Sequence, residues 1–319
     1  MVTYIAKRLA QMIVIILLVS FVTFLLLQLI PGDVAIALLG DGASPEDYQQ
    51  LREKLGLDKP LVIRYLIWAG NMLRGDLGIS LINKYPVSQL FMQRLPYTLQ
   101  LALCGMLFAV LTGIPAGVIS AIRHNSRIDV LIRGFSTFGT AMPSFWLGLL
   151  LIYLFSLKLN WFTSSGIVPI STSFFGWAGS MILPAVTIGL RFSSIVIRQT
   201  RTAFLKAMSS DYVRTARAKG VIENVIMTRH VMKNAIIPVI TVIGLQLGRL
   251  FGGAVITEAI FQIPGMGSLI ADAVFSRDIA VVQGGVIIAA LAILVINLFV
   301  DIIYSIIDPR IRLVSRKGG

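Results

Sequence analysis

The run from Leu9 to Ile30 contains no charged residue. About 20 apolar residues span a bilayer core, so this run is long enough to cross one. A secretory leader carries an apolar stretch of only about 7–15 residues followed by a small-residue cleavage site. Here Lys7 and Arg8 precede the run, and Pro31-Gly32-Asp33 ends it. The sequence therefore predicts a first transmembrane helix with its N-terminus inside. A chain that begins this way folds in a lipid solvent, and the later runs agree. Further spans are predicted at about 97–122, 134–157, 181–198, 235–257 and 284–307. Across the chain 56% of residues are hydrophobic and 13% are charged, against about a quarter charged in soluble domains. The expected fold class is all-α, a polytopic membrane protein with six transmembrane helices and no inverted duplication.

The segments between the runs set the expected domains. Residues 1–30 are the N-terminal helix, and 31–95 form an extracytoplasmic segment. Residues 96–308 are a core of five spans, and 309–319 form a cytoplasmic tail. The 31–95 segment holds seven Lys/Arg and seven Asp/Glu. Ser44-Pro45-Glu46-Asp47 reads as a helix start, with proline at the first position and acids in the first turn. Gly113 and Gly117, four apart, permit close helix approach, and Pro115 between them is a candidate kink. Trp161 and Trp177 fit an interfacial belt.

Net charge is +13, which raises nucleic acid as a partner. Charge placement argues otherwise. The N-terminus, 123–133, 198–233 and the tail together hold 17 Lys/Arg, whereas the outer segments hold nine, seven of them in the long acid-balanced loop. Short loops near helix ends set orientation, which places both termini in the cytoplasm. The excess is topology plus one basic loop.

That loop, 211–238, reads DYVRTARAKGVIENVIMTRHVMKNAIIP. It is too polar to span and too short to be a separate domain. Arg214-Thr215-Ala216-Arg217-Ala218-Lys219-Gly220 resembles the EAA loop of binding-protein-dependent ABC importer permeases. Ala216 and Gly220 hold the motif's third and last places, and Arg214 and Thr215 stand where it has Glu and Ala. Ile237-Pro238 looks like the motif's end at the longer spacing of the oligopeptide, dipeptide and nickel branch. KRLAQMIVIILLVSFVTFLLLQLIPGD, LGLDKPLVIRYL, RGDLGIS, AMPSFWLG, ILPA, ITEAIFQIPGMG and DPRIR extend the resemblance, in order, over nearly the whole chain. It implies the fold of a type I ABC importer permease and a place in a prokaryotic cytoplasmic membrane. The implied partners are a second homologous permease subunit, two ATPase subunits and an extracytoplasmic solute-binding protein.

Arg214, Thr215, Ala216, Arg217, Lys219 and Gly220 are the expected ATPase-docking residues. Ala216 and Gly220 share one helix face, where small side chains let the helix sit deep in a partner's groove. Arg214, Arg217 and Lys219 meet acidic or carbonyl groups at the rim. Gly220 ends the helix in a left-handed conformation. The competing reading is a solvated loop made basic by topology alone.

The chain has no G-x-x-x-x-G-K-[ST] and no H-E-x-x-H, so no P-loop or zincin helix is expected. No cofactor is expected in this chain, with ATP and Mg assigned to partner subunits, and no metal site or catalytic residue. The single cysteine, Cys104, cannot form a disulfide within the chain. His124 and His230 fall in cytoplasmic segments.

Arg191 is placed about ten residues into the fourth span, roughly 15 Å deep. It and Arg249 in the fifth are candidates for the translocation path, set against packing on a second permease or snorkelling. Gly244, Gly248 and Gly252 read as helix packing or a sliding seam. Asp301 is the one carboxylate placed inside a span, which argues against a stand-alone secondary transporter. The expected function is import of di- or oligopeptides, with nickel, a metal chelate or glutathione as alternative solutes.

Overall fold

The computed structural model describes residues 2–29, 44–54 and 58–307. Pro31-Gly32-Asp33 and the tail from 309 lie outside the described residues. Among those described, no named strand occurs, and one isolated bridge joins Ile79 to Pro86. The helices are α1 (Val2–Gln28), α2 (Pro45–Lys54), α3 (Leu61–Leu73), α4 (Val87–Ile122), α5 (Arg127–Ala141), α6 (Ser144–Leu151), α7 (Phe174–Met208), α8 (Asp211–Ala218), α9 (Met232–Ile260), α10 (Met266–Phe275) and α11 (Ile279–Ile307). π-helical turns follow α6 at Ile152–Lys158 and precede α9 at Ile226–Val231. Among the described residues five helices are long and apolar enough to cross a membrane, or six if the bent pair Arg127–Ala141 and Ser144–Lys158 is one span.

The chain forms two compact units. One comprises Met1–Pro96 and Gly265–Leu294. Here α1 carries the aromatic face that holds α3. Tyr65 hydroxyl lies 2.9 Å from Ser20 Oγ, and its ring meets Phe21 and Phe24 edge-on at 5.3 and 5.6 Å. The α2 start is a reciprocal cap: Asp47 N–H donates to Ser44 Oγ, while Ser44 N–H donates to the Asp47 carboxylate, satisfying two end donors at once. The 31–95 segment is apolar at one place. Leu61, Val62, Leu66 and Leu73 of α3 are exposed, and the helix lies on the apolar α1. In the same unit Ser80 Oγ and the Leu81 and Ile82 amides donate to the Asp278 carboxylate.

The other unit, Tyr97–Pro264 with Val295–Gly319, is built around α7. Of the candidate spans among the described residues α7 is the most enclosed, with most of its apolar residues buried where the other unbent spans leave most of theirs uncovered. The expected fourth span began at Met181 and ended near Arg198. The helix instead runs 35 residues from Phe174, because Ser173 caps it by accepting the Gly176 N–H at 3.1 Å. Small residues let α4 reach it. A Cβ on Gly113 would come 2.8 Å from the Val196 Cβ, and one on Gly117 would come 2.8 Å from the Ile197 carbonyl oxygen. α4 remains helical through Pro115 and starts ten residues earlier than expected.

The third span is not continuous. Its two pieces, Arg127–Ala141 and Ser144–Lys158, meet at 105°. The break falls at Met142-Pro143, both extended. Proline pushes the residue before it out of the helical region and has no N–H to continue the ladder. The expectation that Asp301 is the sole carboxylate within a span is also corrected. Glu258 lies in α9, fully buried, and accepts the Thr98 hydroxyl at 2.6 Å. Asp129 lies in α5, fully buried as well.

Candidate functional site

The site begins where α7 ends. The Ser209 N–H still bonds back to Leu205 at 3.2 Å, and Ser210 turns extended. Asp211 then opens α8 with an acid in its first turn, where the helix dipole favours it. The sequence DYVRTARA has two apolar positions three apart that point one way. Val213 is 0% exposed and Ala216 8%, and both join a core formed with Ala121, Phe204, Ala207, Ile226, Val231 and Ala235. α8 packs chiefly on the Ile226–Val231 turn, within a core that also takes in the ends of α4, α7 and α9.

Gly220 stops the helix as expected. Its φ is +75°, its N–H bonds to Arg217 O at 3.0 Å, and Val221 N–H reaches Ala216 O at 3.2 Å. This pairing is the Schellman motif, which needs a left-handed residue at the position Gly220 occupies. Ala216 shares the inward face with Val213 and packs on its own chain. The other residues of α8, Asp211, Tyr212, Arg214, Thr215, Arg217 and Ala218, are exposed, as are Lys219 and Gly220 just beyond it. Arg217 is engaged within the chain: its guanidinium grips Glu223 at 2.6 and 3.1 Å. That hydrogen bond raises the Arg217 pKa above its ordinary value. Both partners are about half exposed, so the pair shapes the loop more than it stabilises the fold. Arg214 lies 3.8 Å from Asp211, both largely exposed.

Behind α8 is a polar knot that sequence reasoning missed. Asp129 accepts Arg201 Nε at 2.8 Å and Nη2 at 2.9 Å. It also accepts the Ser120 hydroxyl and the Asn125 N–H. One carboxylate thus joins the end of α4, the 123–126 turn, α5 and α7. Asp129 stands among Arg123, Arg127 and Arg133 in the sequence, and nothing local there pairs it with a residue 72 positions away.

Arg191 lies at the midpoint of α7, 17 residues from Phe174 and 17 from Met208, roughly 26 Å from either end at 1.5 Å per residue. It is exposed, as is Arg249 in α9. Arg249 shares its exposed face with Leu245, Gly252 and Ile256. The glycine ladder divides: Gly248 is buried, with a Cβ there 2.9 Å from Asn297 Oδ1, whereas Gly252 is exposed. Four-residue spacing drifts about 40° per step around a helix, so the three do not share one contact.

Among the described residues no cluster of three or more His, Cys, Asp or Glu is arranged to hold a metal.

Comparison with known proteins accounts for this architecture. Residues 113–313 match the family "Binding-protein-dependent transport system inner membrane component", and residues 1–102 match the N-terminal region of such membrane components. A dipeptide transport system permease protein of Escherichia coli (strain K12) is 39% identical over 336 aligned residues, covering 98% of this chain and 99% of its own. An oligopeptide transport system permease protein of Bacillus subtilis (strain 168) is 41% identical over 314, with the same coverage. The solved inward-facing MetNI methionine ABC transporter has a chain with a TM-score of 0.58 at 15% identity, covering 69% of this chain and 97% of that one, which shows a shared fold. The chain belongs to the binding-protein-dependent transport system inner membrane components, the permease family of ABC importers.

Proposed function

We propose that this chain is the first permease subunit of an importer that moves di- or oligopeptides across the cytoplasmic membrane. The observation that carries this reading is similarity over nearly the full length to permeases named for dipeptide and oligopeptide transport. The binding-protein-dependent family implies a solute-binding protein on the outer side. A second homologous permease and two ATPase subunits complete the proposed assembly, with ATP and Mg held by the ATPases. Both termini face the cytoplasm, in keeping with the distribution of Lys and Arg.

In this reading α8 is the coupling helix. Its outward residues Tyr212, Arg214, Thr215 and Lys219 meet the ATPase. Val213 and Ala216 tie α8 to the ends of α4, α7 and α9, so a pull on α8 is passed to those helices, and Gly220 lets the chain turn back. Arg217 braces the turn through Glu223. Arg191 and Arg249 belong to the translocation path, since a charge at that depth calls for water or a polar partner.

The test is reconstitution of the chain with its co-purifying partners into liposomes. ATP-driven uptake of labelled dialanine that depends on the binding protein supports the reading. ATP-driven uptake of another solute with dialanine excluded would reject the peptide assignment.

A further inference from the structure

Between Leu183 and Ala207 four residues of α7 are exposed: Arg191, Arg198, Thr202 and Lys206. Every other residue in that stretch is buried or half-buried. The spacings of seven, four and four keep the four within about 80° of arc. They form a single stripe roughly 22 Å long, from the middle of the helix to its α8 end, at 1.5 Å per residue. Three of the four are cationic, and none is apolar. None of the three cations has an ion-pair partner among the described residues.

A surface facing lipid here would be apolar, as α4 shows beside it: Gly105 abuts Gly189 and Gly117 abuts Thr200, which sets the exposed Leu107 and Leu111 level with Arg191 and the exposed Ile119 and Ile122 level with Thr202 and Lys206. Exposed charge at mid-helix, as at Arg191, faces water or a polar partner, and Arg198, Thr202 and Lys206 carry the same polar stripe on to the cytoplasmic end of the helix. A path lined by one sign of charge between low-dielectric walls concentrates counter-ions. We infer that this stripe of α7 is a carboxylate-conducting wall, the inner half of the cargo route, and that it selects solutes carrying a free carboxylate such as a peptide C-terminus. The inference rests on the importer reading above and adds to it the chemical group that is recognised. Guanidinium groups at Arg191 and Arg198 donate to a carboxylate in two-point geometry, and the hydroxyl of Thr202 between Arg198 and Lys206 offers a neutral donor. A carboxylate passed from Arg191 to Arg198 to Lys206 moves toward the side where α8 sits.

The experiment uses the assembled importer with Cys104→Ser and a single reporter, Thr202→Cys. Anionic and cationic methanethiosulfonate reagents are compared, each rate divided by its rate with free cysteine. Reaction roughly tenfold faster with the anionic reagent is expected, the lower end of focusing by a charged cleft. Arg191→Gln with Arg198→Gln should bring the ratio toward one and slow dialanine uptake about as much, and lysine at both positions should restore the ratio, which depends on charge, and only part of the uptake, since lysine lacks the two-point fork. Ile195→Cys, half-buried on the same face, replaces the reporter if Thr202→Cys does not assemble. Equal reaction with both reagents overturns the inference. So does reaction in the isolated subunit that is lost in the assembly, since the second permease then covers the stripe. Failure of dialanine uptake by the unsubstituted importer counts against the peptide reading alone, because the reagent ratio is measured without cargo.

Discussion

Asp129 and Arg201 form a two-point ion pair, Nε and Nη2 each within 2.9 Å of a carboxylate oxygen, joining α5 to α7 just before the chain enters α8. Asp129 is completely buried. Removing one partner of such a pair leaves an uncompensated charge and costs about 3–5 kcal/mol, while replacing both with apolar residues is often neutral. Arg201→Leu and Asp129→Leu should each lower the thermal unfolding temperature and yield of the purified chain. The double variant should recover most of the loss. A double variant no better than the worse single one would show that the pair is not the coupled unit.

Ala216 and Arg214 lie on opposite faces of α8, and their substitutions should separate stability from docking. Ala216→Leu forces a large side chain into the core around Val213, and overpacking of this kind costs about 1–3 kcal/mol. It should lower the unfolding temperature. Arg214→Glu with Lys219→Glu changes only exposed groups, so the unfolding temperature should hold while recovery of ATPase subunits in a pull-down falls. If Ala216→Leu left stability intact and lost the ATPase, Ala216 would be the docking residue after all.

Gly220 has open space where a Cβ would be, and its left-handed backbone is the only obstacle. That conformation costs an L-residue about 1–2 kcal/mol. Gly220→Val should reduce coupled uptake more than Gly220→Ala, and Gly220→Asn, which tolerates this region, should retain most of it. Equal uptake by the valine and asparagine variants would remove the turn from the coupling path.

Gly117 and Gly134 make a matched contrast. A Cβ at Gly117 would lie 2.5 Å from the Thr200 Cβ and 2.8 Å from a backbone oxygen, whereas at Gly134 nothing lies within 4 Å. Gly117→Ala should therefore force α4 from α7 and reduce the amount of folded chain in detergent. Gly134→Ala should match the parent or exceed it slightly, since alanine is favoured over glycine in a helix by about 0.8–1.0 kcal/mol. Equal folded yields for the two would contradict the close approach at Gly117.

The left-handed stop at Gly220 and the cap at Ser44 were readable because both depend on neighbours in the chain. The small-residue pair Gly113 and Gly117 was readable as a contact surface, though its partner was not. Pro143 was visible in the third span, yet the right-angled break needed the structure. A proline in an apolar run is compatible with a kink or a full turn, and packing on α7 selects between them. For Ala216, helix periodicity shows which residues share a face, while leaving open which way that face points.

The sequence alone determined the lipid solvent, the number of long apolar runs, the basic loop and its glycine stop. Those follow from local hydrophobicity, charge and backbone freedom, which act over a few turns of chain. The tertiary structure decided that Asp129 meets Arg201, that Val213 and Ala216 face inward, and that Arg191 shares one exposed stripe with Arg198 and Lys206. Each depends on which helix packs beside which. That choice is made by the shape fit of side chains far apart in sequence, and no local pattern encodes it.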